Sequence, residues 1–250
     1  MAEMDPSIWF RRDIGPYLTD DSRFVYNQWG GIAEEDLPLH LHNIRDKAWR
    51  LSKYPCIGLW IFLLPGMGAF PQFPTLLARS QQPNSIVLDI GCGLGQELRL
   101  FAAHGVPTDR MWAVDIEPGL WTLGYDLFRD AGRMKARFIE RDFRTLPDEA
   151  FHDLVASKRV VGLSKPGTML VGSQQGRLQA EEYQWPWGVM FHHNLESFIR
   201  LWDEVQRKTN TRWTVDARMA DVPEFGVQEE DISWMLEDKQ WIRFVITRVA

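Results

Sequence analysis

The stretch that decides the fold is Val87-Leu-Asp-Ile-Gly-Cys-Gly-Leu-Gly-Gln96. A short apolar run, Ser85–Ile90, closes on Asp89 and Gly91 and reads as a buried strand. Gly91, Gly93 and Gly95 follow, and helical spacing of Leu98, Leu100 and Phe101 then marks a helix over Gln96–His104 that stops at Gly105. Glycine is needed where a backbone turns sharply, visits positive φ and lets a ligand approach without Cβ atoms in the way. The helix start beyond it offers N–H groups and a positive dipole end to an anionic group.

Moving downstream, a second strand, Met111–Val114, runs into Asp115, about 20 residues past the last glycine, where an acid meets ribose hydroxyls in nucleoside-binding sheets. Helical spacing over Leu120–Ala131 and a third strand, Arg137–Ile139, lead to Asp142. Asp89, Asp115 and Asp142 therefore fall along one rim, the carboxyl edge where such sheets bind ligands. Phe151–Ser157 and Thr168–Gly172 read as strands four and five. Only residues 158–167 lie between them, at the lower limit of about 10–12 residues for a parallel crossover. Leu195–Lys208 is an amphipathic helix, and Arg212–Val215 and Trp241–Val249 are β-like.

Upstream, Leu37, Leu41, Ile44, Ala48 and Leu51 share one face of a helix over Glu34–Leu51, and Pro74–Ser80 reads as another. Helices followed by βαβαβ give the α/β class, a Rossmann-like fold with a central, mostly parallel sheet flanked by helices. Residues 1–80 form a helical cap or lid in the same globule, and residues 81–250 the nucleoside-binding domain.

The pattern is D-x-G-x-G-x-G rather than the G-x-G-x-x-G of dinucleotide sites. An acid ahead of the glycines repels pyrophosphate but suits a cationic amino-acid tail. That favours S-adenosylmethionine, with its ammonium and sulfonium near Asp89, ribose on Asp115, and adenine near Asp142 between Ile116 and Phe143. Gly91, Cys92, Gly93 and Gly95 make the cradle. The bland reading of the same residues is a turn that only packs strand on helix.

Composition narrows the field. The chain has 250 residues, 28 Lys+Arg against 34 Asp+Glu, and a net charge of −6. With no cationic block, a sequence-independent grip on nucleic acid is excluded. Cys56 and Cys92 lack partners at metal or disulfide-framework spacing, so no metal site is expected. The first residues lack a signal-peptide pattern. The longest apolar stretch, Ile57–Phe70, is broken by Gly58, Pro65, Gly66 and Gly68 and falls short of the roughly 20 residues of a membrane span. A cytoplasmic location is the expectation. Twelve Trp suit a ring-rich core or an aromatic-lined cavity.

Other motifs carry weaker signals. His152-Asp153 has no accompanying nucleophile, and no G-x-S-x-G turn supports hydrolase chemistry. His40 and His42, two apart, do not share a helix face and read as structural. His192-His193-Asn194 reads either as a substrate wall pairing a carboxylate or as a plain turn, since adjacent side chains on a strand point opposite ways. Tyr54–Trp60 with Ile61–Leu64 suggests an apolar lid over a greasy substrate, or a helix packed on the sheet edge. Glu229-Glu-Asp231 reads as a solvated loop.

Asp89–Gly95, Asp115-Ile-Glu-Pro118 and Arg141-Asp-Phe143 together resemble class I S-adenosylmethionine-dependent methyltransferases. Ile44-Arg-Asp-Lys-Ala-Trp49, Tyr54-Pro-Cys-Ile-Gly58, Leu123-Gly-Tyr-Asp-Leu-Phe-Arg129 and Met190-Phe-His-His-Asn194 resemble the fungal methyltransferases of meroterpenoid biosynthesis. The likeness runs from about Trp9 to Val249. It implies methyl-ester formation on farnesylated polyketide carboxylic acids, ahead of epoxidation and terpene cyclisation. The implied partner is a hydrophobic carboxylic acid, with a homodimer as the assembly to test. A carboxylate is already ionised at neutral pH, so no catalytic base is assigned, and His193 is the residue chosen to orient substrate. In one place the chain departs from the family: strand four runs directly into Lys158–Gly167, where the family has a loop and helix. That keeps two rivals in play, a cofactor-binding catalyst of cyclisation or rearrangement without methyl transfer, and a non-catalytic binding paralogue.

Overall fold

The computed structural model describes residues 5–142, 162, 164–185, 188–235 and 238–250. These residues pack as two units, one comprising residues 5–142 with Phe225–Val227, the other running from residue 162 to Glu224 and from Gln228 to Ala250. Strand four, expected at Phe151–Ser157, lies outside the described residues, as do His152 and Asp153.

In the first unit the helices are α1 (Asp20–Phe24), α2 (Leu37–Leu51), α3 (Pro55–Gly58), α4 (Phe73–Ser80), α5 (Gln96–Ala103) and α6 (Pro118–Leu127). Its strands β1 (Val87–Ile90), β2 (Met111–Asp115) and β3 (Arg137–Glu140) are parallel, in the order β1-β2-β3. The register pairs Val87 with Met111 and Trp112 with Arg137, which brings Ile90, Asp115 and Glu140 to the same end of the sheet. The predicted strand–glycine–helix–strand order is therefore present. Helix α2 buries Leu37, Leu41, Ile44 and Ala48, the predicted stripe.

This stripe is not packed on its own helices alone. Leu37, Leu41 and Ile44 join Trp60, Leu63, Leu94, Leu100, Leu120 and Phe128 in one cluster, so residues 5–80 share their core with the helices that follow the glycines. The apolar run expected as a lid belongs to that core: Ile57, Leu59, Trp60, Phe62 and Leu63 are buried in the unit itself. A second cluster, including Cys92, Leu98, Phe101, Met111 and Trp121, packs α5 and α6 on the sheet.

In the second unit β4 (Met169–Arg177) and β7 (Trp213–Ala220) each pair antiparallel with β8 (Lys239–Arg248), in the order β4-β8-β7. A hairpin of β5 (Glu181–Trp185) and β6 (Gly188–His192) precedes α7 (Leu195–Thr209). The three-stranded sheet here is antiparallel, a direction the sequence left open because periodicity gives a strand's faces but not its direction. Asn194 caps α7, its side chain accepting the Ser197 N–H at 2.9 Å while Ser197 Oγ accepts the Asn194 N–H at 3.1 Å. Phe198, Trp202 and Val205 of α7 pack on Trp213, Ile242 and Ile246. Among the described residues six Trp, at 9, 60, 121, 185, 202 and 213, are buried, which favours the ring-rich core over the cavity.

Candidate cofactor site

The site grows from the way β1 ends. Gly91 and Cys92 both donate to the Val114 carbonyl, at 2.8 and 3.2 Å, which ties the turn to β2. Gly91, Gly93 and Gly95 take φ of +76°, +50° and +79°, the left-handed region that side chains rarely enter. Their roles differ. A Cβ built on Gly91 or Gly93 meets nothing within 4 Å, so that side of the turn is an open cradle. A Cβ on Gly95 would collide with the Arg99 guanidinium and stand 2.6 Å from the Trp121 ring. Gly95 therefore keeps the packing between loop and helix close. It also begins α5 without a side-chain cap.

Asp115 braces the cradle. Its Oδ2 accepts the Gly93 N–H at 2.7 Å and its Oδ1 the Glu117 N–H at 3.0 Å, so each oxygen keeps one lone pair. Asp89 is different: its Oδ2 is buried and has no hydrogen-bond partner, and Gln96 Oε1 shares that condition. An orphaned buried acceptor is costly and signals a missing donor.

Burial pushes the Asp89 carboxyl up to about 7, the Asp115 charge adds to the shift, and Arg99 opposes it. Glu97, absent from the sequence-derived set, is a second strained acid. Its two oxygens accept the N–H groups of Gly66 and Met67 at 2.6 and 3.0 Å. Burial and then Asp89 push it up to about 8, against those two donors.

These shifts give a signed prediction. A folded Asp89 that holds its proton more tightly than the unfolded chain lends stability that is lost as pH rises from about 4 towards 7. A bound cation favours the charged form, so affinity for S-adenosylmethionine should rise several-fold between about pH 5.5 and 7.5, with proton release. Calorimetry in two buffers of different ionisation enthalpy reads both. Asp89→Asn should flatten the rise and abolish the release, and an unchanged pH profile in that variant rejects the assignment.

Beneath the cradle lies a group that the sequence did not flag. Arg99 and Asp130 are both 0% exposed and pair through two bonds, Nε to Oδ2 at 2.9 Å and Nη2 to Oδ1 at 3.2 Å. Arg99 Nη1 donates to the Leu94 carbonyl at 3.1 Å and the Gly95 carbonyl at 3.4 Å, and the Trp29 indole donates to Asp130 Oδ2 at 2.7 Å. The guanidinium lies over the Trp121 and Phe128 rings, 4.6 and 4.9 Å from their centroids. This clamp holds the glycine loop from below.

The other expected residues fall as follows. Ile116 is 47% exposed beside Asp115, available as an apolar wall. The Cys92 side chain packs with Leu98 and Phe101 and burial pushes its thiol up, so its backbone alone lines the turn. Asp142 follows β3 half-buried, and Phe143 lies outside the described residues. His40 Nε2 lies 2.8 Å from the Leu127 carbonyl and His42 meets the Trp60 ring edge-on, the structural roles expected. In the second unit His193 is 7% exposed, packs against Phe191 and Phe198, and places Nδ1 3.0 Å from Ser197 Oγ. Among the described residues no cluster of three or more His, Cys, Asp or Glu could hold a metal. No helix there is long and apolar enough to cross a membrane.

A family model for the meroterpenoid methyltransferase N-terminal domain matches residues 9–63, and a methyltransferase-domain model matches residues 87–169. The chain is 30% identical over 243 residues to the O-methyltransferase phiE of a fungal species, covering 87% of this chain and 81% of that one. This chain belongs to the meroterpenoid methyltransferase family. The O-methyltransferase atr3 of Stereocaulon alpinum is 28% identical, covering 95% and 74% of the two chains. Among solved structures, the N-terminal domain of EvdMO1 with SAH bound has a TM-score of 0.51 at 10% identity, covering 84% and 97%, a likeness of fold alone.

The family's cofactor is S-adenosylmethionine. The described residues fit it. The Gly91–Gly93 cradle is open where a Cβ would stand, and the unpartnered acceptors of Asp89 and Gln96 suit a cationic donor.

Proposed function

We propose that this methyltransferase esterifies the carboxylate of a prenylated polyketide acid, making a methyl ester. The observation that carries the cofactor half of this reading is the unpartnered Oδ2 of Asp89 at the mouth of an open glycine turn. The choice of oxygen is supported by the two relatives named as O-methyltransferases. The bound cofactor supplies a methyl group on a sulfonium, ready for in-line displacement.

The chain's own residues supply placement. Asp89 faces the cationic end, Asp115 uses its remaining lone pairs on the ribose, and Ile116 and Asp142 flank the adenine. Gly91, Cys92, Gly93 and Gly95 contribute backbone. His193 steers the acid rather than activating it, because a carboxylate needs no base at neutral pH. The rate gain then comes from near-attack alignment and exclusion of water.

Incubation with methyl-labelled S-adenosylmethionine and a panel of prenylated aryl acids tests the reading. Label recovered in a base-labile methyl ester is the expected result. Label on a phenol or a carbon overturns the choice of acceptor, and a changed product without label indicates rearrangement chemistry instead.

A further inference from the structure

Glu97 stands beside the cradle with no task in the methyl transfer. It lies in the first turn of α5, just past the glycine that begins the helix. Its Oε1 accepts the Gly66 N–H at 2.6 Å and its Oε2 the Met67 N–H at 3.0 Å. Those donors open a short 3-10 helix, Gly66–Ala69, whose own N-cap residue, Pro65, makes no side-chain hydrogen bond to it. The first N–H groups of a helix have no partners within it. Glu97 is therefore the cap of this helix, supplied from 30 residues downstream.

The cap fixes more than one turn. From Gly66 to Phe73 the chain runs alongside α5 in step with it. Gly66 and Met67 meet Glu97, and a Cβ built on Gly68 would stand 3.7 Å from Leu100 Cδ2. The Phe73 ring packs 5.5 Å from Phe101 and 5.4 Å from His104. Met67 is half-buried against both core clusters of this unit. A strap with glycine at 66 and 68 has few side chains to hold it, so at the end nearest the glycine turn its polar anchor is Glu97.

An acid is a costly anchor in this position. Burial and the Asp89 charge push Glu97 up to about 8, against its two donors. Asp21 also lies near the strap, its Oδ2 3.3 Å from a Cβ built on Gly68, while Arg99 is held by Asp130. A cation seated at Asp89 offsets the like charge and favours the ionised Glu97. Both of its bonds to the strap are then charge-assisted, the stronger kind.

We infer that Glu97 is a positioning residue for the cofactor: it caps the Gly66–Ala69 helix, so holding the strap along α5 beside the glycine turn, and a cation on Asp89 strengthens that hold. This rests on the reading above that Asp89 faces the cationic end.

The test uses the full chain labelled with 15N-glycine, and S-adenosylhomocysteine, which keeps the ammonium, as the probe at neutral pH. The Gly66 amide resonance, identified by its loss in Gly66→Ala, should move downfield as the probe is added, the sign of a stronger bond to Glu97. By reciprocity, Glu97→Gln, which offers one acceptor atom to two donors, should weaken probe affinity about fivefold or more in calorimetry. A Gly66 resonance that the probe leaves in place, or an affinity unchanged within about twofold in Glu97→Gln, overturns the inference. Should Glu97→Gln fail to fold, the wild-type resonance decides alone. If Glu97→Gln weakens the probe and Asp89→Asn does not, the positioning role stands and the placement of the cation at Asp89 falls.

Discussion

Asp130→Ala is expected to lose about 3–5 kcal/mol of folding stability, read from urea denaturation followed by circular dichroism. The carboxylate faces a guanidinium with no exposed surface, and its removal leaves that charge uncompensated among Trp121, Tyr125 and Phe128. It also strands the Trp29 indole N–H. A loss below about 1 kcal/mol would mean that the pair is solvated, contrary to its burial.

The pair's contribution can be separated from its effect on the site. Replacing both members by apolar residues of similar volume should recover much of the stability, since a packed apolar pair rivals a buried ionic one. Such a double variant still lacks the donors to the Leu94 and Gly95 carbonyls. It should fold and yet bind S-adenosylmethionine more weakly, which would mark Arg99 as the part that positions the loop.

Gly95→Ala is the second large effect. Two costs add at this position, left-handed φ of about 1–2 kcal/mol and overpacking of about 1–3 kcal/mol against Arg99 and Trp121. Neither neighbour can yield, because the clamp holds the guanidinium and the Trp121 ring is buried. Gly105→Ala is the control. It has φ of +85° at the end of the same helix, with nothing within 4 Å of the added Cβ. Gly105→Ala should therefore show the backbone cost alone, and cofactor affinity should fall only in Gly95→Ala. Equal destabilisation of the two variants, with equal affinity, would show that the contact at Gly95 carries nothing.

What the sequence made legible was local. Glycines after an apolar run and acids at strand ends are encoded within a few residues, so the parallel strands and the positions of Asp89 and Asp115 could be read directly. The apolar face of α2 was legible for the same reason. The Arg99–Asp130 clamp was not, because its members lie 31 residues apart and its indole donor 101 residues from Asp130, with no motif linking them. Glu97 was hidden because its partners are backbone N–H groups 30 and 31 residues upstream, which leave no trace in residue type. The β5–β6 hairpin escaped notice because its strands do not alternate: Val189, Met190 and Phe191 run consecutively and all stay exposed. Whether Tyr54–Leu64 covers a substrate or packs inward was not legible for the opposite reason. A run rich in Ile, Leu, Trp and Phe looks the same whether it faces a substrate or the chain's own interior.

On the proposed reading Asp115 has a double duty, to the turn and to the ribose, and this limits how the lineage can drift or be engineered. Because both its oxygens already grip backbone at Gly93 and Glu117, exchanging this acid to favour a different nucleoside would unpick the turn it is meant to retune. Asparagine would keep only one acceptor atom. On the same reading, Ile116 is the freer position for altering donor preference, because its exposed side chain carries no such second obligation to the turn.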